Sequence, residues 1–119
     1  MNDNANDRRI DYLEFPATDI QATKAFYSSV FGWTFEDYGP DYTSFQDGRL
    51  AGGFWTAPAV SPGGALVVIF AAQLEAAEGR VKAAGGQIVK PIFAFPGGRR
   101  FHFTDPSGNE LAICTEEEA

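Results

Sequence analysis

The chain repeats itself, and that constrains its fold more than any other feature. Asp19 opens an amphipathic run that ends thirteen residues later at Gly32, and Gln73 opens a similar run that ends thirteen residues later at Gly86. Asp47-Gly48 precedes the strand-like residues 50–55, and Ser107-Gly108 precedes residues 111–114. The helices are 54 residues apart (19 to 73) and the glycine corners 60 apart (48 to 108), so the two copies differ in loop length. An internal period sets the architecture before any single residue does. Two related halves predict a cleft between them.

Each half reads as the same series of elements. Residues 10–15 alternate as a strand, and Asp19 has the type and position of a helix N-cap. Ala22, Ala25, Phe26 and Val30 recur at helical spacing before Gly32 supplies the stop. Strands follow at 33–38, 42–46 and 50–56, with turns at Gly39-Pro40-Asp41 and Gly48. The Pro-, Gly- and Ala-rich stretch 56–64 is the linker. The second half gives a strand at 65–71, a helix at 74–84, and strands at 87–93, 99–104 and 110–115. The expected class is α+β, with two βαβββ modules at 9–56 and 65–115 in a single domain spanning 1–119. The polar residues 1–7 and the acidic residues 116–119 are expected to be frayed ends.

Charge narrows the partners. A formal charge of −7 disfavours nucleic acid and anionic membrane surfaces, and favours a neutral or cationic small molecule. No stretch approaches the length of a membrane span. The single cysteine, Cys114, has no partner for an intrachain disulfide, and no apolar leader follows Met1, so a cytoplasmic location is expected. Cys114 itself reads as an ordinary buried residue.

Phe26-Tyr27, the ending Val30-Phe31-Gly32-Trp33 and the corner Asp105-Pro106-Ser107-Gly108-Asn109 resemble the first helix and the last corner of the glyoxalase, bleomycin-resistance and extradiol dioxygenase superfamily. The resemblance covers roughly 9–115. It implies that the two modules form an open, curled mixed sheet with helices on the convex side, a ligand in the concave cleft, and a homodimer.

Strand alternation assigns the faces. Leu13 and Phe15, Val67 and Ile69, Phe101 and Phe103, and Leu111 and Ile113 are expected beneath the helices. The cleft face then carries Tyr12 and Glu14; Tyr42 and Ser44; Leu50, Gly52 and Phe54; Leu66, Val68 and Phe70; Arg100, His102 and Thr104; and Glu110, Ala112 and Cys114. Trp55 falls on the helix side, with Trp33, Phe31 and Phe45 in the core.

The resemblance also implies a divalent metal, held by one side chain from the first and last strands of each module. Carried across, those positions fall on Tyr12, Gly52, Leu66 and Ala112, a set that does not supply the several oxygen or nitrogen ligands such an ion takes. No metal and no cofactor are therefore expected. Glu14 interrupts an apolar strand, which suits it to proton transfer, to a cation, or simply to an ion pair with Arg99 or Arg100. His102, the sole histidine, would form an acid-base pair with Glu14 if the two met. Arg100 is a candidate anion clamp or a solvated strand start, and Phe54 is a candidate stacking platform. Two readings follow. The favoured one is a metal-independent protein that binds a small, cationic or planar organic ligand through Tyr12, Tyr42, Phe54, Val68, Arg100 and Glu110. The alternative is a small lyase or isomerase acting on a carbonyl compound through Glu14 and His102.

Overall fold

A computed structural model describes residues 7–116. In chain order the elements are β1 (Tyr12–Ala17), α1 (Ile20–Phe31), β2 (Thr34–Asp37), β3 (Tyr42–Gln46), β4 (Ala51–Thr56), β5 (Val67–Phe70), α2 (Leu74–Ala83), β6 (Gln87–Phe95), β7 (Gly98–Thr104) and β8 (Glu110–Glu116). The βαβββ order thus occurs twice. Residues 1–6 and 117–119 of the expected frayed ends lie outside the described residues. No described helix is long and apolar enough to cross a membrane.

Local signals explain the helices. Asp19 is extended (φ −150°), and its carboxylate accepts the Ala22 N–H at 3.0 Å, satisfying one of the donors a helix start leaves orphaned. Gly32 takes the left-handed conformation (φ 75°) and donates its N–H to the Ser28 carbonyl. Between them Ile20, Thr23, Phe26, Tyr27 and Val30 form the buried stripe. The second helix buries Leu74, Ala77 and Val81, but Gln73 makes no side-chain cap; Glu75 in the first turn and Arg80 and Lys82 in the last complement the helix dipole instead.

The strands form two four-stranded sheets, ordered β1-β4-β3-β2 and β5-β8-β7-β6, in which only the β1–β4 and β5–β8 pairs are parallel. Pro16 is tolerated because β1 is an edge strand. Strand β6, an edge of the second sheet, carries Pro91 and register shifts on either side of Lys90.

Both sheets share one helix-side core. Phe15, Phe45 and Phe54 from the first sheet and Phe101, Phe103, Leu111 and Ile113 from the second belong to a single apolar cluster with both helices. Helix α1 joins the two halves: its Phe26 and Phe31 rings lie 6.0 and 6.3 Å from Phe103 on the far sheet. Arg80 Nε donates to the Val30 carbonyl at 3.1 Å. The buried Asp105 closes the join. It accepts the Tyr27 hydroxyl at 2.9 Å, the backbone N–H groups of Ser107, Gly108 and Asn109, and the Asn109 amide, which also donates to the Pro16 carbonyl at 2.8 Å. Burial, and then the Asp105 charge, push the Tyr27 phenol well above its ordinary pKa.

One face assignment is reversed by a single residue. Leu13 pairs with Gly52 and Val67 pairs with Leu111, so Gly52, not Gly53, is the counterpart of the helix-facing Leu111. The core position lies four residues beyond Gly48 but three beyond Gly108 (52 − 48 and 111 − 108). Since a one-residue offset exchanges the faces of a strand, Gly52 and Phe54 point into the core, and Gly53 and Trp55 face the other way. Phe54 is fully buried and Trp55 is 44% exposed.

Replacing Asp105 with Ala removes five accepted hydrogen bonds and leaves buried donors unpaired. Asp105→Ala should lose on the order of 3 kcal/mol of stability, read as a lower urea midpoint with an unchanged slope. A midpoint within error of the parent would show that the join does not depend on this carboxylate.

Candidate functional site

The site is built on the sheet faces turned away from the helices. On the first sheet, Tyr12, Glu14, Tyr42, Gly53 and Trp55 share this open face. Tyr42 Oη donates to Glu14 Oε2 at 2.8 Å. Having spent its proton there, it accepts from Tyr12 Oη at 2.6 Å. Gly53 makes this possible: a Cβ there would overlap the Tyr42 phenol and lie 2.9 Å from Tyr12 Oη. Burial, followed by the hydrogen bonds to Tyr12 and Glu14, raises the Tyr42 pKa far above the usual phenol range. Tyr38 and Trp55, both largely exposed, extend the aromatic surface. The Glu36 charge raises the Tyr38 pKa as well.

On the second sheet, Leu66, Val68 and Phe70 stand exposed beside Arg100, His102 and Glu110. His102 is only 4% exposed. Its Nδ1 lies 3.0 Å from Glu110 Oε2, and its Nε2 is buried with no hydrogen-bond partner. Arg100 packs its guanidinium over Phe93 and Phe95, 5.5 and 5.3 Å from the ring centres, and its Nε is likewise buried and unpartnered. Cys114, the cross-strand partner of Arg100, is half-buried and free.

Glu14 and Glu110 meet at the junction. A crevice of about 260 Å³ between the sheets is lined by Glu14, Pro16, Val67, Asn109 and Glu110, with residues 61–63 of the linker. A larger depression of about 700 Å³ lies at the start of β1, among Arg9, Asp11, Asp47 and Arg49. It holds none of the predicted site residues, so the crevice is the stronger candidate.

The expected Glu14–His102 pair does not form: Glu14 bonds Tyr42, and His102 takes Glu110. Nor does Glu14 pair with an arginine, since Arg99 binds Glu75 at 2.6 Å and Arg100 rests on aromatic rings. Phe54 leaves the ligand-binding set, because it is buried against Phe15, Tyr27 and Phe45 at ring distances of 5.4, 5.1 and 5.5 Å. Tyr12, Tyr42, Val68, Arg100 and Glu110 do lie on the open faces. The Tyr12–Tyr42–Glu14 chain was not read from sequence, although adjacent Gly52-Gly53 inside a strand signals close approach by another group.

A family model described as Glyoxalase/Bleomycin resistance protein/Dioxygenase superfamily matches residues 9–113, and the chain belongs to that superfamily. A putative glyoxylase, CFP32, of Mycobacterium tuberculosis is 28% identical over 114 residues, covering 87% of this chain; the chain spans only 44% of that relative's length. The fold matches a glyoxalase-related enzyme from Fulvimarina pelagi (24% identity, TM-score 0.79, 92% of this chain and 88% of that one). It also matches a fosfomycin resistance protein from Listeria monocytogenes complexed with Mn(II) and a dihydroxypropylphosphonic acid (16%, TM-score 0.79, 90% and 89%). A lactoylglutathione lyase from Agrobacterium tumefaciens gives 20%, TM-score 0.73, 91% and 93%. At these identities the solved structures establish the fold alone.

The residues here do not fit a metal of the kind the superfamily resemblance implies. With the corner offset corrected, the relevant open-face positions hold Tyr12, Gly53, Leu66 and Ala112. Three offer no side-chain donor, and the space above Gly53 is filled by the Tyr42 phenol. Among the described residues no three His, Cys, Asp or Glu side chains are placed to share an ion.

Gly53→Ala is expected to drive Tyr42 off Glu14 and cost roughly 1–3 kcal/mol, much of it recovered in Gly53→Ala/Tyr42→Ser. An unchanged unfolding midpoint in the single variant would contradict the packing. The raised phenol pKa also fixes a pH dependence. The stability it contributes is complete below the unfolded tyrosine value of about 10 and is lost as pH rises toward the folded value. Glu14→Gln should move part of the alkaline absorbance change to lower pH.

Proposed function

We propose that this superfamily member binds a small organic cation, flat or quaternary, without a metal, in the crevice between the two sheets. The observation that carries the reading is the convergence of Glu14 and Glu110 on one crevice of about 260 Å³. Among the described residues, neither Glu14 nor Glu110 pairs with a lysine or arginine. Glu14 keeps an oxygen beyond its bond to Tyr42, and Phe15, Pro16 and Val67 supply apolar walls in the same crevice. Carboxylates and aromatic faces together recognise alkylated ammonium groups. The formal charge of −7 draws such a ligand in. The superfamily's bleomycin-resistance members make ligand sequestration a natural role on this fold.

A second reading draws on one observation, the 3.0 Å bond between His102 Nδ1 and Glu110. A carboxylate on Nδ1 fixes the tautomer that leaves Nε2 as a base. On that reading the proton-transfer pair of a lyase or isomerase is His102 with Glu110, and Glu14 holds substrate. The names of the glyoxylase and lactoylglutathione lyase relatives favour this class of activity.

The protein acts, on this proposal, as a cytoplasmic homodimer. Trp55, Leu66, Val68 and Phe70, between 39% and 60% exposed, form apolar surface on the open faces that a second copy would cover. Cys114, the single cysteine, is free, as suits a reducing compartment.

Thermal-shift and calorimetric titration with aromatic and quaternary ammonium compounds tests the binding. A ligand at a hundredfold excess over its Kd should add about 2.7 kcal/mol of stability. Glu14→Gln should weaken it about tenfold, the loss of one charge-assisted contact. Strong stabilisation by Mn²⁺ or Zn²⁺ that disappears in Tyr12→Phe would defeat the reading. For the assembly, light scattering should give twice the chain mass, and Val68→Glu/Phe70→Glu should return the monomer. A parent protein that is monomeric at micromolar concentration would rule the dimer out.

A further inference from the structure

Arg100 carries a charge that no described carboxylate balances. Lys24 bonds Asp37 and Arg99 bonds Glu75, but among the described residues no carboxylate reaches Arg100. Its guanidinium lies over the Phe93 and Phe95 rings. Its Nε is buried and unpartnered. Two residues along the same face, about 7 Å away on a strand, His102 presents the same defect: the side chain is 95% buried, Nδ1 is taken by Glu110, and Nε2 has no partner. Buried polar atoms are normally paired, and an unpaired one marks a missing partner. Two of them side by side, next to an unbalanced positive charge, describe an incomplete receptor for negatively charged oxygen.

We propose that Arg100 and His102 together bind the carboxylate group of a small organic acid on the open face of the second sheet. Arg100 Nε–H donates to one oxygen. His102 donates from Nε2 to the other, with Glu110 across Nδ1 supporting the doubly protonated ring. A monoanion is the matching charge, since Glu110 already balances the imidazolium and only Arg100 remains to be neutralised. A phosphate dianion would leave one negative charge in excess beside Glu110. The Phe93 ring lies against both groups, 5.8 Å from the imidazole, on the edge strand β6, whose register slips between Lys90 and Phe93. A ligand that reaches both groups therefore displaces the Phe93 ring. This subsite does not require the cation reading, because Glu14 takes no part in it.

The sole histidine makes the test direct, because ¹⁵N-histidine labelling of the full chain yields one imidazole pattern. Acetate, glycolate and pyruvate are titrated in turn against sodium chloride at matched ionic strength. The expected result is a saturable Nε2 shift in the millimolar range, weakened about tenfold or more in Arg100→Met and retained in Glu14→Gln. Should Arg100→Met unfold, Arg100→Lys keeps the charge, removes the Nε–H, and should also weaken the response. The proposal is overturned by no saturable shift, by an equal shift with chloride, by a shift that survives both Arg100 variants, or by tighter binding of inorganic phosphate. Carboxylate binding that persists while ammonium compounds fail to bind would overturn the cation reading and leave this one standing.

Discussion

Everything on the open faces depends on the two sheets sharing a single core on their other sides. Helix α1 packs its own sheet through Tyr27 and the opposite one through Phe26 and Phe31. With Phe15, Phe45, Phe54, Phe101 and Phe103 committed to that interior, the alternate positions of the same strands are free to be polar. Asp105 is the polar device that sets the two halves at one angle. A buried carboxylate accepting from Tyr27, from Asn109 and from three backbone N–H groups has no satisfactory alternative arrangement. The crevice that holds Glu14 and Glu110 is a consequence of that angle.

The architecture was legible because it is encoded locally and twice. Asp19 and Gly32 mark the ends of α1 through their own side chain and backbone, and alternation in 101–104 and 110–114 separates core from open face without any tertiary knowledge. The failures have a physical pattern. Gly52 and Phe54 were assigned to the wrong face because the count was carried across a corner, and one residue of difference in a turn inverts a whole strand. Gln73 stands where a cap belongs yet makes none, because the packing of Leu74, Ala77 and Val81 holds α2 without it.

The candidate residues were legible, and their partners were not. His102, Glu110, Arg100 and Glu14 could each be placed on an open face from period alone. Which of them touch depends on pairing between strands and on the seating of one module against the other. Glu110 reaches His102 because Thr104 and Glu110 are cross-strand partners and His102 lies two residues back along β7. Glu14 reaches Tyr42 across β4, over a residue without a side chain. Neither contact has a local signature.

The side chains at the positions where the superfamily resemblance implies chelation shape the chemistry the cleft can perform. A divalent ion concentrates positive charge at one point and wants hard or borderline donors around it. Here the corresponding space on the first sheet is taken by two phenols ending on a carboxylate, an arrangement that offers negative potential and aromatic surface in place of a Lewis acid. The positive groups lie instead on β7, in Arg100 and, when protonated, His102. Charge is thus divided between the faces: Tyr12, Tyr42 and Glu14 on one side, Arg100 and His102 on the other, with Glu110 shared between the crevice and the imidazole.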